Sequence, residues 1–335
     1  MRVLVTGAAG FIGSNFCHHL VEHTDYEVIG LDALTYSANL ASLIGLPSNR
    51  FTFIEGDIRD GSLVDSLVED VDLVVHFAAE SHNDNSLLNP EVFISTNVWG
   101  TFTILESVRK YNVRLHHIST DEVFGDLPLK TSGKFTEGTP YNPSSPYSSS
   151  KASSDLLVRA WVRSFGVRAT ISNCSNNYGP RQHVEKFIPR QITQVLQGEK
   201  PKLYGSGQNV RDWIHVDDHS DALMAVIHRG KSGETYLIGT SGERSNLEVI
   251  EIILELMGKP KNWFDHVRDR PGHDLRYAID NSKIRTELKW NKQGVDFIDG
   301  IRSTIAWYSE NASWWTESKT VVEKKYLSVE NDQVT

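Results

Sequence analysis

Cysteine, long apolar runs and an excess of positive charge are all scarce or missing in this sequence of 335 residues. The two cysteines, Cys17 and Cys174, lie far apart and form no C-x-x-C motif, which argues against a disulfide framework or a zinc cluster. No segment approaches the roughly 20 apolar residues of a membrane span. The net charge of -9 gives no electrostatic reason to expect nucleic acid or a membrane as a partner.

The sequence also begins without a charged leader or an apolar signal region, so we expect a cytoplasmic protein. Its histidines form no H-E-x-x-H motif or similar cluster, and we predict that the protein binds no metal. His116 and His117 are adjacent in a strand pattern, where successive side chains point to opposite faces. We therefore expect one of them to lie in the core and the other in solvent.

Short apolar runs alternate with amphipathic stretches through the first half of the chain. The alternation predicts an α/β fold with a Rossmann-like, doubly wound parallel sheet. After about residue 178 the elements become shorter, and Gly, Pro, Arg, His and aromatic residues become frequent. We predict a dinucleotide-binding domain of residues 1–178 and 210–239, a smaller, discontinuous α/β substrate domain of residues 179–209 and 240–315, and a C-terminal tail of residues 316–335. The predicted strands are 2–6, 27–32, 51–55, 73–78, 114–119 and 168–173, and the clearest helical patterns are 63–68, 97–109 and 147–165.

Gly7, Gly10 and Gly13 separate the first strand pattern from a helix that opens with Phe11 and Ile12. Glycines permit a tight turn and a close approach of the backbone to a pyrophosphate, and the helix N-terminus supplies amide donors. A glycine triplet alone is often only a turn. The order of strand, glycines and helix predicts a dinucleotide site.

Asp32 ends the second strand pattern. A carboxylate there can accept hydrogen bonds from ribose hydroxyls and would repel a 2′-phosphate, which predicts NAD rather than NADP as cofactor. The alternative is a solvated aspartate at a strand end. Asp57 and Ile58 follow the next strand, where we expect them to bracket the adenine.

Tyr147 and Lys151 are four residues apart and therefore share one face of a helix. A nearby ammonium stabilises a phenolate, so we expect Lys151 to lower the pKa of Tyr147 and make it a base for a substrate hydroxyl. Thr120, Asp121 and Glu122 follow a strand, at the sheet edge where ligands of such folds bind. Two adjacent carboxyls can divide acid and base work. The alternative is a helix N-cap followed by an acidic residue.

Five motifs together resemble the dTDP-glucose 4,6-dehydratases, a branch of the extended short-chain dehydrogenases, over nearly the whole chain. The glycine motif and the Tyr/Lys pair are shared across the superfamily, whereas the Thr-Asp-Glu run is more specific because related 4-epimerases lack the acidic pair. The motifs are Val5-Thr6-Gly7-Ala8-Ala9-Gly10-Phe11-Ile12-Gly13, His76-Phe77-Ala78-Ala79-Glu80-Ser81-His82, Ser119-Thr120-Asp121-Glu122-Val123-Phe124-Gly125-Asp126, Tyr147-x-x-x-Lys151 and Asn176-Asn177-Tyr178-Gly179-Pro180.

The resemblance implies a reaction in which Tyr147 deprotonates the sugar 4-hydroxyl while NAD accepts hydride from carbon 4. Glu122 would then remove the proton on carbon 5, and Asp121 would protonate the departing 6-hydroxyl. Hydride return to carbon 6 would complete the cycle. Thr120 would orient the 4-hydroxyl, and Lys151 would hold the nicotinamide ribose. The further cofactor contacts that the resemblance implies are Ala78, Ala79, Ser81, Thr96 and Asn177.

A nucleoside diphosphate bound to an acidic protein needs local positive charge, and Arg211 and Arg270 are the best candidates. Alternatives are open for others, because Phe187 and Ile188 could be core residues and Lys186 could be solvated. The substrate contacts that the resemblance adds are Ser81, Thr120, Asn176, Glu185, Lys186, Phe187, Ile188, Pro189, Lys202, Tyr204, Asn246, His273 and Tyr277.

Two departures from the family pattern are visible. Phe124 stands where a Tyr is common, and we expect this loss of a hydroxyl to have little effect on the chemistry. His82-Asn83-Asp84-Asn85-Ser86 replaces the more frequent His-Val-Asp-Arg-Ser. Because it lies beside Ser81, we expect the change to alter loop packing or the dimer surface.

Three other functions remain possible beside the dehydration of dTDP-glucose, and the resemblance also implies an oligomeric state. A dehydratase for UDP- or CDP-glucose and a 4-epimerase share most of the motifs. A non-catalytic NAD sensor on the same fold would characteristically lack the Tyr/Lys pair that this chain keeps. In relatives, the helices that correspond to 97–109 and 147–165 pair across a two-fold axis, which predicts a homodimer through a four-helix bundle.

Overall fold

The computed structural model describes residues 1–269, 273–291 and 294–332. Its largest sheet is parallel and has seven strands in the order β3-β2-β1-β4-β5-β6-β10, which confirms the predicted doubly wound fold. The strands are β1 Arg2–Thr6, β2 Glu27–Asp32, β3 Phe51–Glu55, β4 Leu73–His76, β5 Arg114–Thr120, β6 Ala169–Cys174, β7 Asn176–Tyr178, β8 Lys202–Tyr204, β9 Val210–His215, β10 Thr235–Ile238, β11 Glu243–Ser245 and β12 Asp265–Val267.

Helices cover both faces of this sheet, which explains why its strands are almost continuously apolar. One core includes residues of α1, α8 and α10, and the core on the opposite face includes residues of α2, α5 and α6. The helices are α1 Phe11–His23, α2 Gly61–Val68, α3 Asn83–Leu88, α4 Pro90–Phe93, α5 Gly100–Tyr111, α6 Pro146–Phe165, α7 Phe187–Leu196, α8 Val216–Arg229, α9 Asn246–Leu256, α10 Ser282–Leu288, α11 Phe297–Glu310 and α12 Ala312–Asp332.

The prediction that one of His116 and His117 is solvated is wrong. Their exposed fractions are 1% and 0%, because helices cover both faces of β5. Each ring lies next to a polar side chain. His116 Nδ1 lies 2.8 Å from Thr170 Oγ1, and His117 Nε2 lies 3.2 Å from Asp155 Oδ1. Burial lowers the pKa of both imidazoles, which favours their neutral forms.

Two smaller sheets lie beyond the large one. In the first, β9 pairs in parallel with β7 and antiparallel with β11, and in the second, β8 and β12 are parallel. The stretch 210–239 therefore gives β9 to a small sheet and β10 to the large one. A third apolar core joins α7, α9, α11 and α12 around Ile192, Ile253 and Tyr308. In the described part of the chain, no helix is both long and apolar enough to cross a membrane.

Candidate active site

The turn after β1 is built around glycine backbone. Gly7 has a φ of +71°, and a Cβ on it would lie 2.8 Å from the Ala78 backbone nitrogen. A Cβ on Gly13 would lie 2.1 Å from the Gly7 carbonyl oxygen, so α1 can approach the turn only without a side chain there. Gly10 is the N-cap of α1, and among the described residues no side chain caps this helix end. The first amides of α1 are therefore open to an anionic ligand.

Three adjoining cavities run along the carboxyl edge of the large sheet. The outer cavity is lined by residues that include Gly7, Asp32, Asp57, Ile58, Ala78, Ala79 and Thr96. The central cavity is lined by residues that include Gly7, Phe11, Ile12, Gly13, Ala79, Ser81, Thr120, Asp121, Glu122, Tyr147, Lys151, Asn176, Asn177 and Lys186. The distal cavity is lined by residues that include Ser81, Asn83, Glu122, Asn176, Glu185, Lys186, Phe187, Tyr204, Arg211, Asn246, His273, Tyr277 and Tyr326.

Nearly all of the predicted cofactor residues line the outer or the central cavity. Of the predicted cofactor residues, all of which the structure describes, only Gly10 lines neither cavity. Its amide donates to the Gly7 carbonyl at 3.1 Å within the turn. The Asp32 carboxylate accepts hydrogen bonds from the amides of Ala9 and Leu34, both at 2.9 Å. These bonds hold the carboxylate at the rim of the outer cavity.

Thr120 ends β5 and caps the short 3₁₀ turn Asp121–Phe124, since its hydroxyl accepts from the Glu122 amide at 3.3 Å. The N-cap alternative therefore describes the local backbone correctly. In the same turn, the carboxyls of Asp121 and Glu122 line the central cavity. Burial, then the charge of Glu122, raises the pKa of Asp121 well above its usual range. Asp121 is thus suited to hold a proton beside a second carboxyl.

Ser145 caps α6, which brings Tyr147 and Lys151 to the central cavity on its first turns. The predicted lowering of the Tyr147 pKa is wrong in this structure: burial, then the charge of Glu122, raises it well above its usual value. Lys151 Nζ donates instead to the Ile118 carbonyl at 2.7 Å, and burial lowers its own pKa. Burial of the phenol outweighs a hydrogen bond with Thr120, which acts in the opposite direction.

A turn of π-helix, Ile94–Trp99, interrupts the path from α4 to α5. It places Asn97 so that Nδ2 donates to the Glu80 carbonyl (3.0 Å) and to Ser150 Oγ (2.8 Å). Oδ1 accepts from the Glu80 amide at 2.8 Å. Asn97 therefore connects the loop beside Ser81 to the helix that carries Tyr147, a common use of such bulges near functional sites.

Most predicted substrate residues line the distal cavity, and four of the described ones do not. Thr120 lines the central cavity instead. Ile188 is 1% exposed and belongs to the core around Ile192, which is the core alternative. Pro189, also on α7, is buried. Lys202 lines a separate groove with Lys319 and Glu323. Arg270 lies outside the described residues.

Arg211 reaches the distal cavity from β9 and is 6% exposed. Its Nη1 donates to the Val210 carbonyl at 2.8 Å and its Nη2 to the Asp274 carbonyl at 2.9 Å. The guanidinium carbon lies 4.3 Å from the centre of the Tyr277 ring. These contacts fix the cation at the cavity wall, as a site for a phosphate requires.

Four buried polar atoms of residues that line the central cavity lack a hydrogen-bond partner among the described residues: Asp121 Oδ2, Ser175 Oγ, Asn176 Oδ1 and Gln182 Oε1. Leaving such an atom unsatisfied costs about 1–3 kcal/mol. Their concentration at one place is what a cavity prepared for a polar ligand should show.

Several residues of the distal cavity were not predicted from the sequence, and two of them, Asn83 and Tyr326, make specific contacts. Asn83 was seen only as a departure in a loop, yet Nδ2 lies 2.7 Å from Glu122 Oε2. Tyr326 was assigned to a tail, yet α12 folds back and stacks its ring 3.6 Å from the Arg190 guanidinium. The departure from the family pattern at positions 82–86 drew attention to Asn83, whereas no local sequence feature marks Tyr326.

The chain is similar to known proteins over nearly its whole length. Residues 4–304 match the family model described as GDP-mannose 4,6 dehydratase. The dTDP-glucose 4,6-dehydratase of Mycobacterium tuberculosis is 62% identical over 97% of this chain and 98% of its own length, and that of Salmonella typhimurium is 46% identical over 96% of each. The crystal structure of DesIV, the dTDP-glucose 4,6-dehydratase of Streptomyces venezuelae with NAD and TYD bound, covers 95% of this chain and 100% of its own, with 46% identity and a TM-score of 0.91.

The similarity extends over both the large sheet and the regions that surround the distal cavity, so it is not confined to the dinucleotide-binding half. With the glycine turn, the Tyr/Lys pair and the acidic pair gathered around one central cavity, the chain belongs to the dTDP-glucose 4,6-dehydratase family.

Proposed function

We propose that this protein converts dTDP-D-glucose to dTDP-4-keto-6-deoxy-D-glucose with internally recycled NAD. The observation that carries the proposal is that Tyr147, Asp121 and Glu122 line the same cavity as the glycine turn. A base, an acid and a dinucleotide site can therefore act on one hexose. The named activity of relatives up to 62% identical supports the same conclusion.

The residues of the outer and central cavities fit NAD. The open N-terminus of α1 suits a pyrophosphate, and the Asp32 carboxylate suits a ribose that carries no 2′-phosphate. When bound, NAD supplies the hydride acceptor for carbon 4 and the donor for carbon 6. Lys151 would hold the nicotinamide ribose.

The chain's own residues would move the protons. Thr120 orients the sugar 4-hydroxyl, and Tyr147 removes its proton. The resulting ketone acidifies carbon 5, whose proton passes to Glu122. Asp121, whose pKa burial raises well above its usual range, protonates the 6-hydroxyl as it leaves as water.

The distal cavity would hold the nucleotide half of the substrate, between the large sheet and the region that we propose as the substrate domain. Arg211 gives the positive charge for a diphosphate. Lys186 Nζ donates to the Ser81 carbonyl at 2.7 Å, so this cation lies where the central and distal cavities meet. The position suits a contact at the junction of sugar and diphosphate.

We also propose the homodimer. Trp99 is 57% exposed at the end of the π-helical turn that leads into α5, and Leu156 and Phe165 on α6 are 56% and 47% exposed. The rings of Trp99 and Phe102 lie 4.9 Å apart, and those of Trp161 and Phe165 lie 5.4 Å apart. Contiguous exposed apolar surface of this kind is typical of a protein–protein interface.

Incubation with dTDP-, UDP- and CDP-glucose tests the activity. The alkali-induced absorbance of a 4-keto sugar should appear with dTDP-glucose and be much weaker with the other two. Preference for UDP- or CDP-glucose would indicate a dehydratase for that nucleotide. A 4-epimer without keto sugar would indicate an epimerase, and binding of NAD without turnover of any substrate would indicate a sensor.

A further inference from the structure

Asn83 places its side-chain amide against Glu122. Nδ2 donates to Glu122 Oε2 at 2.7 Å, and Oδ1 accepts from Ser145 Oγ at 2.8 Å. The amide orientation follows from these partners, because the opposite orientation would set its oxygen against the carboxylate. One side chain therefore joins the carboxyl of Glu122 to the N-cap of α6, the helix that carries Tyr147.

The surroundings hold this amide in place. Asn83 is the first residue of α3, and its carbonyl accepts from Ser86 Oγ at 2.7 Å. Ser145 Oγ in turn lies 2.9 Å from Ser148 Oγ in the capping box of α6. The more frequent Val at position 83 of the family pattern has no hydrogen-bonding group and cannot form either contact.

We propose that Asn83 is a positioning residue for proton abstraction, which holds the Glu122 carboxyl in the orientation that proton transfer from carbon 5 requires. The inference rests on the proposed function, in which Glu122 takes the proton from carbon 5. The electrons of that C–H bond form the second bond of a double bond between carbons 5 and 6, and the 6-hydroxyl leaves as water with the proton of Asp121. A donor on a carboxylate favours its charged form, and such bonds are about twice as strong as neutral ones.

The neighbouring groups make this contact consequential. Without the Asn83 donor, the Glu122 carboxyl would lose the side-chain contact that holds it in the cavity that it shares with Asp121. Other charged and titratable residues that line a cavity together with Glu122 include Tyr147, Lys186, Arg211, His82 and Tyr277.

The test is a single-turnover measurement on the NAD-loaded enzyme with dTDP-glucose, followed by the absorbance of reduced nicotinamide at about pH 6 and about pH 8. The rise in this absorbance reports oxidation at carbon 4, and its subsequent fall reports elimination of water and the return of hydride to carbon 6. In Asn83→Val, the rise should stay within about twofold of wild type at both pH values. The fall should be roughly tenfold slower at both pH values, because the variant no longer holds the Glu122 carboxyl in place.

Asn83→Asp keeps the shape and an acceptor for Ser145 but replaces the donor to Glu122 with a second carboxyl, so its fall should also be slower than that of wild type. Asn89→Val is the matched control, because Asn89 is exposed just after α3 and caps α4 without a side-chain hydrogen bond. It should match wild type in both phases.

A fall in Asn83→Val that is unchanged at both pH values, or a rise that is slowed as much as the fall, would overturn the inference. Wild type is measured first in the same assay. Failure of wild type to turn over dTDP-glucose would refute the proposed function, whereas normal wild-type turnover with unchanged Asn83 variants would refute only the role of Asn83.

Discussion

His117 Nε2 lies 3.2 Å from Asp155 Oδ1, and neither side chain has any exposed surface. Asp155 also accepts hydrogen bonds from Ser119 Oγ and Tyr141 OH, both at 2.8 Å, through its other oxygen. These donors and the charge of Lys151, one turn earlier on α6, outweigh burial and lower the pKa of Asp155. A buried carboxylate beneath the central cavity therefore stays ionised and offsets the buried ammonium.

Asp155→Asn should lower the free energy of unfolding by about 3 kcal/mol, because it leaves Lys151 as an uncompensated buried charge. Urea unfolding measures the loss. Asp65→Asn removes a partner of the exposed Lys110, whose Nζ lies 2.7 Å away, and should cost much less than Asp155→Asn because solvent screens this pair. Equal losses for the two variants would show that Asp155 has no special role in stability.

Tyr147→Phe should reduce kcat by roughly 10²–10⁴-fold, because it removes the base for the 4-hydroxyl. The side chain is 8% exposed and keeps its ring in Phe, so the fold and the affinity for dTDP-glucose should change little. Turnover and calorimetric binding measure the two effects separately. Full activity in the variant would refute Tyr147 as the base.

Glu122→Gln and Asp121→Asn should leave oxidation at carbon 4 partly intact and block elimination. Each variant keeps the shape of its side chain and removes one proton transfer of the later step. The expected signal is a persistent absorbance of reduced nicotinamide after dTDP-glucose is added. Normal keto-sugar formation without that signal would contradict the assignment of the acidic pair.

The sequence predicts the central cavity well because its parts are local signals at sheet edges. Gly7, Tyr147 and Glu122 each sit next to a strand or helix boundary, and parallel strands bring such boundaries together. Contacts between distant segments carry no such signal. Tyr326 reaches the distal cavity only because α12 packs on Arg190, and the bond from Asn83 to Glu122 depends on how α3 sits beside β5.

Acid should destabilise the protein through its buried histidines. Burial lowers the pKa of His116 and His219 to about 3 and that of His183 to about 4. The unfolded chain takes up these protons near the ordinary value of about 6.5. The folded state then binds fewer protons, so stability falls as pH drops below about 6.5 and until each folded pKa is passed.

The slope should be up to about 1.4 kcal/mol per pH unit for each such histidine. Urea unfolding between about pH 7 and pH 5 measures it, with His219→Gln as a variant that lacks one titrating ring. Its Nδ1 lies 2.8 Å from Asn177 Oδ1, a contact that an amide can replace. An identical slope in His219→Gln and wild type would contradict this origin of the acid sensitivity.

Leu156→Asp should convert the proposed dimer to a monomer, because it places a charge at the centre of the apolar surface on α6 that the partner would bury without compensation. Small-angle scattering and the concentration dependence of Tm measure the change. Ile44→Asp is the control: Ile44 is 76% exposed and lies outside α5 and α6, so the same substitution there should leave the assembly intact. The central cavity lies inside one chain, so the monomer should still bind NAD, and any loss of activity should follow loss of stability rather than loss of a residue from the site. A wild-type protein that scatters as a monomer would remove the basis for the four-helix bundle, since the exposed rings on α5 and α6 would then need another explanation.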